Sequence, residues 1–349
     1  MIFKFGFIKE EYVMPNASGV KRGYNYQDVV ALYYFLDNIE NISKINDEGE
    51  DDIEIIFEDG KYVFLQAKES IKSDKAITKP LLRKALSTLY EDFKNHKTDI
   101  KELGIITNSN FPFTKKDFNF LLPYQYYKYD ALSRTAQNRI QEQIKILEAN
   151  QASTVLDLKK LSVTKISYSG SDERSRLQQL NIVVNEFLEK AKIESRMTAR
   201  LSDAWLISFN RSSEDAKDYI TKRHFVSQTE IEVMDEPEFE TFFREFDIQT
   251  GNKRFIKDQY EKFLRKCIEK FTIVSKIDND YRKFSIENSD KGQNEIEIDF
   301  VNKESKIITK ELGLQNVDAD LDIAKLIVWL RITNDTYIEN IEKAANVKN

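Results

Sequence analysis

The chain has 349 residues, 41% of them hydrophobic and 32% charged, which is material for one large core or two ordinary domains beneath a strongly solvated surface. Its 53 Lys and Arg stand against 59 Asp and Glu, a net charge of −6, which excludes a uniformly basic nucleic-acid coat and leaves room for a local basic groove. The longest apolar runs, DVVALYYFL and IAKLIVWL, fall short of the roughly 20 residues of a membrane span, and the opening MIFKFGFIKEEY lacks an uninterrupted signal-peptide core, so a cytoplasmic protein without a membrane role is expected.

In chain order, the first expected element is a helix from Asn25 to about Asn38, with Val29, Val30, Leu32, Tyr33, Leu36 and Ile39 near one face and Asp28 in the first turn. The acidic stretch NDEGEDD interrupts it. IEIIF and YVFLQAK follow as two β-rich runs, and Asp59-Gly60 between them is a hairpin signal. Thr78-Lys79-Pro80 opens a second helix with apolar residues at 81, 82, 85, 86, 89 and 93, and LGIITN reads as a strand after it. Helix, hairpin, helix, strand is the order of a small α/β layer.

The remainder reads mainly as helix: ALSRTAQNRIQEQIKILEAN, SRLQQLNIVVNEFLEKAKI, DQYEKFLRKCIEKF and DADLDIAKLIVWLRI all have helical spacing. NEIEIDFV reads as a short β-like run among them, and SYSGSDE and DIQTGNK are polar breaks. The expected division is at residue 150, with an α/β domain over 1–150 and a mainly helical regulatory or assembly domain over 151–349.

Side chains two apart on a strand share a face, so Tyr62, Phe64, Gln66 and Lys68 point one way while Val63, Leu65 and Ala67 point the other. Apolar residues on both faces mark a central strand, with Gln66 and Lys68 at its mouth. Asp52 and Glu54 share a face on the preceding strand, and the hairpin can bring that face alongside. Carboxylates, an amide oxygen and an ammonium in one small region suit phosphodiester hydrolysis: the oxygens can hold Mg²⁺ or Mn²⁺, and the lysine can orient a water or stabilise charge on the phosphate. The same residues also fit the solvated end of an ordinary strand beside an acidic loop.

SGVKRGYNYQDVVALYYFL, DDIEIIFEDGKYVFLQAKES and LGIITNSNF together resemble the Cap4-type nuclease domain of bacterial antiphage effectors, a branch of the PD-(D/E)XK superfamily. That domain occurs in the CD-NTase-associated effector nuclease of CBASS defence, in the nuclease subunit of Lamassu systems and beside HerA-type ATPases. The resemblance covers roughly residues 17–112. It implies a restriction-endonuclease-like α/β (α+β) domain with a central mixed sheet, followed here by a mostly α-helical part. Gly23, Tyr26 and Gln27 match the opening motif, Asp52 the metal-binding acid, and Gln66 and Lys68 the (D/E)-x-K pair, with Asp51 and Glu54 competing for the role of the acid. Glutamine in place of the second acid makes the expected metal site less negative.

The function implied is metal-dependent cleavage of double-stranded DNA, with Gln27, Lys72, Lys75, Lys79 and Arg83 as candidate DNA contacts. The resemblance further implies a gate: an SMC-like ATPase with an accessory subunit, a HerA-type ATPase or cyclic-nucleotide signalling, and activity as a homo-oligomer, dimer or tetramer. A non-catalytic DNA-binding or scaffolding subunit on the same fold is the alternative. Other chemistries lack their residues. There is no Gly-x4-Gly-Lys-Ser/Thr loop, the single Cys267 and the two histidines, His96 and His224, cannot build a Cys/His zinc site, and the aromatic run FPFTKKDFNFLLPYQYYKYD reads as packing surface before it reads as a base-stacking platform.

Overall fold

The computed structural model describes residues 26–47, 53–70, 77–110, 122–150, 155–168, 173–212, 219–234, 239–269, 271–314 and 318–347. Helix α1, Tyr26–Asp37, is buried almost all round, as a helix of sequence YQDVVALYYFLD must be. It leads into β1, Ile42–Asp47, and then into the hairpin of β2, Ile53–Phe57, and β3, Tyr62–Lys68. Gly60 closes that hairpin at φ +77°, a left-handed conformation that glycine adopts without a steric cost, and its amide donates to the Phe57 carbonyl at 3.0 Å.

Helix α2, Lys79–His96, starts on Thr78 with Pro80 in its first turn, and β4, Ile100–Thr107, follows. Next come β5, Tyr124–Lys128, α3, Arg134–Asn150, β6, Leu161–Ile166, the single turn α4, Glu173–Arg176, α5, Gln178–Lys190, and α6, Thr198–Ser212. A two-residue strand β7, Ile220–Thr221, runs into α7, Lys222–Met234. Six helices complete the described chain: α8, Phe239–Glu245, α9, Thr250–Glu269, α10, Phe271–Glu287, α11, Gln293–Glu311, α12, Asp318–Thr333, and α13, Asp335–Ala344.

The seven strands form one mixed sheet in the order β5-β6-β4-β3-β2-β1-β7. β3, β4 and β6 are parallel, and the other pairings are antiparallel. One face packs on α1, α5 and α6 through Leu65, Ile106 and Val63, and the other packs on α2 and α3 through Phe64, Leu103, Ile105 and Val163. Helices α8 to α12 gather around a separate core that includes Phe242, Phe300, Ile323 and Trp329. Among the described residues no helix is long and apolar enough to cross a membrane.

The mixed sheet and the helical second half agree with expectation, and β3 is central as its two apolar faces require. Two readings need correction. NEIEIDFV belongs to α11: Ile296, Phe300, Glu304 and Ile308 are buried at a spacing of four, so helical burial overrides the local Glu-Ile alternation. The expected boundary at residue 150 falls inside the sheet layer, because β6 lies between β4 and β5 and β7 edges β1.

Gly104 shows how tightly the sheet centre is packed. A Cβ there would sit 2.5 Å from Leu65 Cδ2 and 3.4 Å from both Ile106 Cδ1 and Ser162 Oγ, and Leu65 has no exposed surface into which to swing. Gly104→Ala is expected to lower unfolding free energy by about 1–3 kcal/mol in urea titrations. An unchanged midpoint would mean that Leu65 has a second rotamer able to absorb the methyl group.

Candidate active site

Register assigns the polar side chains at the sheet's end to faces. Lys68 pairs with Thr107, Thr107 with Lys165, and Lys165 with Gln125, so these four form one row across β3, β4, β6 and β5. They lie on the α2 face, four residues beyond the apolar row of Phe64 and Leu103. Gln66, between the two rows, pairs with Ile105 and is wholly buried, and neither its amide nitrogen nor its amide oxygen has a hydrogen-bond partner among the described residues. Burying an unbonded amide costs on the order of 1–3 kcal/mol, a cost that a bound oxygen or cation would offset.

The strand ends are held by Asn108, which is 2% exposed. Its Oδ1 accepts from the Ser70 amide at 2.7 Å, and its Nδ2 donates to the carbonyls of Ser70 at 3.1 Å and Tyr168 at 3.3 Å, joining the segments that leave β3 and β6. Beside it the Thr107 and Ser109 hydroxyls share a hydrogen bond of 2.9 Å. Lys165 Nζ donates to Asn110 Oδ1 at 3.0 Å, and burial pulls its ammonium below the usual lysine range.

Gln66 and Lys68 therefore come together as the sequence predicts. Glu54 shares their face, opposite Phe64, and its carboxylate accepts from the Tyr219 hydroxyl at 2.9 Å, which draws it toward the β7 edge. Asp51, Asp52, Lys72, Lys75 and Gly23 lie outside the described residues. Lys79 and Arg83 are exposed on α2 and bind α3 instead of projecting freely: Lys79 Nζ is 3.3 Å from Glu142 Oε2, and Arg83 Nε donates to Gln143 Oε1 at 3.0 Å.

Gln27 lies at the same end of the sheet on the other face. Its Nε2 donates to Asp47 Oδ1 at 2.6 Å, and Asp47, in register with Ile53 and through it with Leu65, faces α1. Asp28, fully buried, accepts from Asn210 Nδ2 at 3.2 Å and adds a second carboxyl to this group. Tyr26 donates to the Ile166 carbonyl at 3.2 Å and seats the start of α1 against the end of β6. His96, half-buried, packs its ring against Tyr62 and Phe64, with centroids 4.6 and 5.0 Å away.

Sequence reading missed Lys165, Asn108 and the Asp28/Asp47 pair. The signal for Lys165 was present in LSVTKIS, a β-branched alternating run that ends in lysine as VFLQAK does.

An α/β layer whose parallel strands end in a buried Gln-x-Lys, preceded by a helix and a hairpin, has the architecture of a restriction-endonuclease-like nuclease domain. Residues 18–165, less than half of the chain, match the family described as "Cap4, dsDNA endonuclease domain". Among solved structures the chain is similar to an Acinetobacter baumannii Cap4 SAVED/CARF-domain containing receptor with the cyclic trinucleotide 2'3'3'-cAAA, 17% identical over 61% of this chain and 45% of that one, with a TM-score of 0.39. A Moraxella osloensis Cap4 SAVED/CARF-domain containing receptor is 18% identical over 62% of this chain and 48% of its own, also with a TM-score of 0.39. The chain thus spans about half the length of these receptors. No curated protein matches it.

The acid pair generates a pH prediction. Burial, with Asp28 beside it, pushes the Asp47 carboxyl from 3.8 up to about 8, against a smaller opposing effect of the Gln27 hydrogen bond. The folded state then keeps a proton that the unfolded chain releases, so this group's contribution to stability is fully present below about pH 4 and is lost as pH rises to about 8. Relative to the wild type, Asp47→Asn is expected to gain about 1 kcal/mol per pH unit across that window in urea titrations. Parallel pH profiles for the two proteins would mean that Asp47 is already ionised when folded.

Proposed function

We propose that the chain is a DNA endonuclease effector of bacterial antiphage defence that depends on Mg²⁺ or Mn²⁺. The observation that carries this reading is Gln66, buried with an amide unbonded among the described residues, two residues before Lys68 on the same face. The match of residues 18–165 to a double-stranded DNA endonuclease domain supports it independently.

An orphaned amide oxygen fits one position of a hard cation's oxygen shell. Among the described residues no three His, Cys, Asp or Glu side chains gather into a metal-holding group, so the acidic part of the shell rests on Asp52, with Asp51 and Glu54 as competitors. Such an ion polarises the phosphate and lowers the pKa of its bound water. Lys68, a cation itself, would stay out of the coordination sphere while donating to a phosphate oxygen or the attacking water, and the apolar row beneath it strengthens both interactions. Lys72, Lys75, Lys79 and Arg83 would follow the backbone by charge, the last two by exchanging their bonds to α3 for phosphate.

The helical layer supports control through a protein partner, since helices packed around their own core present faces that other helices can dock on. An SMC-like ATPase with an accessory subunit is the partner we favour. Release followed by self-assembly into a dimer or tetramer would bring two active sites to one duplex, as cutting both strands requires.

Purified protein incubated with plasmid and Mg²⁺ or Mn²⁺, alone and with the products of neighbouring genes, tests this reading. Lys68→Ala should reduce cutting by at least about 10²-fold with an unchanged melting temperature. Undiminished cleavage by that variant removes Lys68 from the mechanism, and wild-type protein that retains DNA without cutting it under any of these conditions is a binding subunit instead.

A further inference from the structure

Lys165 is 6% exposed at the end of β6, in the row that contains Lys68 and Thr107. Lysine is seldom buried to this degree, and this one donates to a neutral amide oxygen, Asn110 Oδ1. Two strand spacings of about 4.8 Å separate it from Lys68, so the backbones are roughly 10 Å apart, a gap that two flexible lysines close to within reach of one nucleic-acid strand. The amide of wholly buried Gln66, one step deeper on the same face and unbonded among the described residues, independently points to a polar ligand at this end of the sheet.

We infer that Lys165 is a second phosphate-binding residue of the pocket, with its ammonium taking a backbone phosphate of the DNA strand that Lys68 engages. This rests on the nuclease reading above. Asn110 holds the amine in place until DNA arrives, and the shared hydroxyls of Thr107 and Ser109 line the row between the two lysines. Both contacts are to phosphate, so Lys165 contributes to affinity and positioning without reading sequence.

The test is fluorescence anisotropy of a short mixed-sequence duplex with the full chain in EDTA, where hydrolysis is silent, over a range of salt concentrations. Lys165→Met, which keeps the bulk and removes the charge, should weaken binding about 10-fold and reduce the slope of log affinity against log salt by about one. Lys165→Arg should restore both. Asn110→Ala, which removes one bond that positions the amine, should weaken binding several-fold at an unchanged melting temperature.

An unchanged affinity and slope for Lys165→Met overturns the inference. So does a Lys165→Met protein that fails to fold while Asn110→Ala binds normally, because the lysine is then a packing group. Wild-type protein that binds no duplex overturns both this inference and the nuclease reading. Wild-type protein that binds but never cuts overturns hydrolysis alone, and the Lys165→Met comparison still decides this point.

Discussion

Two buried side-chain amides, a few residues apart at the same end of the sheet, set the character of this site. Asn108 makes three hydrogen bonds to backbone that leaves β3 and β6, while Gln66 makes none among the described residues. Each of the Asn108 bonds is worth about 1 kcal/mol net, and losing the side chain would strand several buried backbone groups at once. The first amide therefore fixes the strand ends that carry Lys68, Thr107 and Lys165. The second holds polarity in reserve on the rigid frame so produced, and rigid placement of groups that pair only with a ligand is what a hydrolytic site needs.

The sheet also separates charge. On the α2 face the row of Lys68 and Lys165 rests on apolar Phe64, Leu103, Ile105 and Val163, a low-dielectric floor that strengthens their attraction for an anion. On the α1 face, at the same end, lie Asp28 and Asp47. Two ionised carboxylates there would oppose a phosphate arriving from the other side. Burial and the neighbouring Asp28 raise the Asp47 carboxyl to about 8, which weakens such repulsion near neutrality. Gln27 matches a motif residue of the resembled family, and its bond to Asp47 makes it part of this buried acid group.

Much of the sheet layer was legible because its elements carry strong local signals: an apolar helix, an Asp-Gly hairpin, a proline-started helix and a strand bearing Gln-x-Lys. The edge and late strands were not. β5, YQYYK, is an edge strand whose sequence looks like interface, and β6 lies beyond a long helix, so its place beside β4 depends on pairing with residues some 60 positions earlier. A one-dimensional pattern does not register such pairings. Lys165 carried a local signal near the end of a β-rich run, but only the register puts it in a row with Lys68. α11 failed in the opposite direction: Glu-Ile alternation mimics a strand until burial at every fourth residue decides for a helix.

Helix α7 links the sheet layer to the helical layer. Phe225 and Val226 belong to the core beneath α1, whereas Ile231 and Met234, two turns on, belong to the core of α8 to α12. At its start Lys222 is buried and bonds the Glu40 carbonyl and the Glu58 carboxylate, the latter in the turn of the β2–β3 hairpin. The far end of the chain returns to the same place: Ile341, Ala344 and Ala345 pack in the α1 core, and Asn346 donates to the Glu40 carbonyl at 3.0 Å. A rigid helix shared between two cores transmits displacement better than a linker would, because tilting it opens cavities in both. A displacement of the helical layer would therefore reach the hairpin that carries Gln66 and Lys68 through α7 and Lys222.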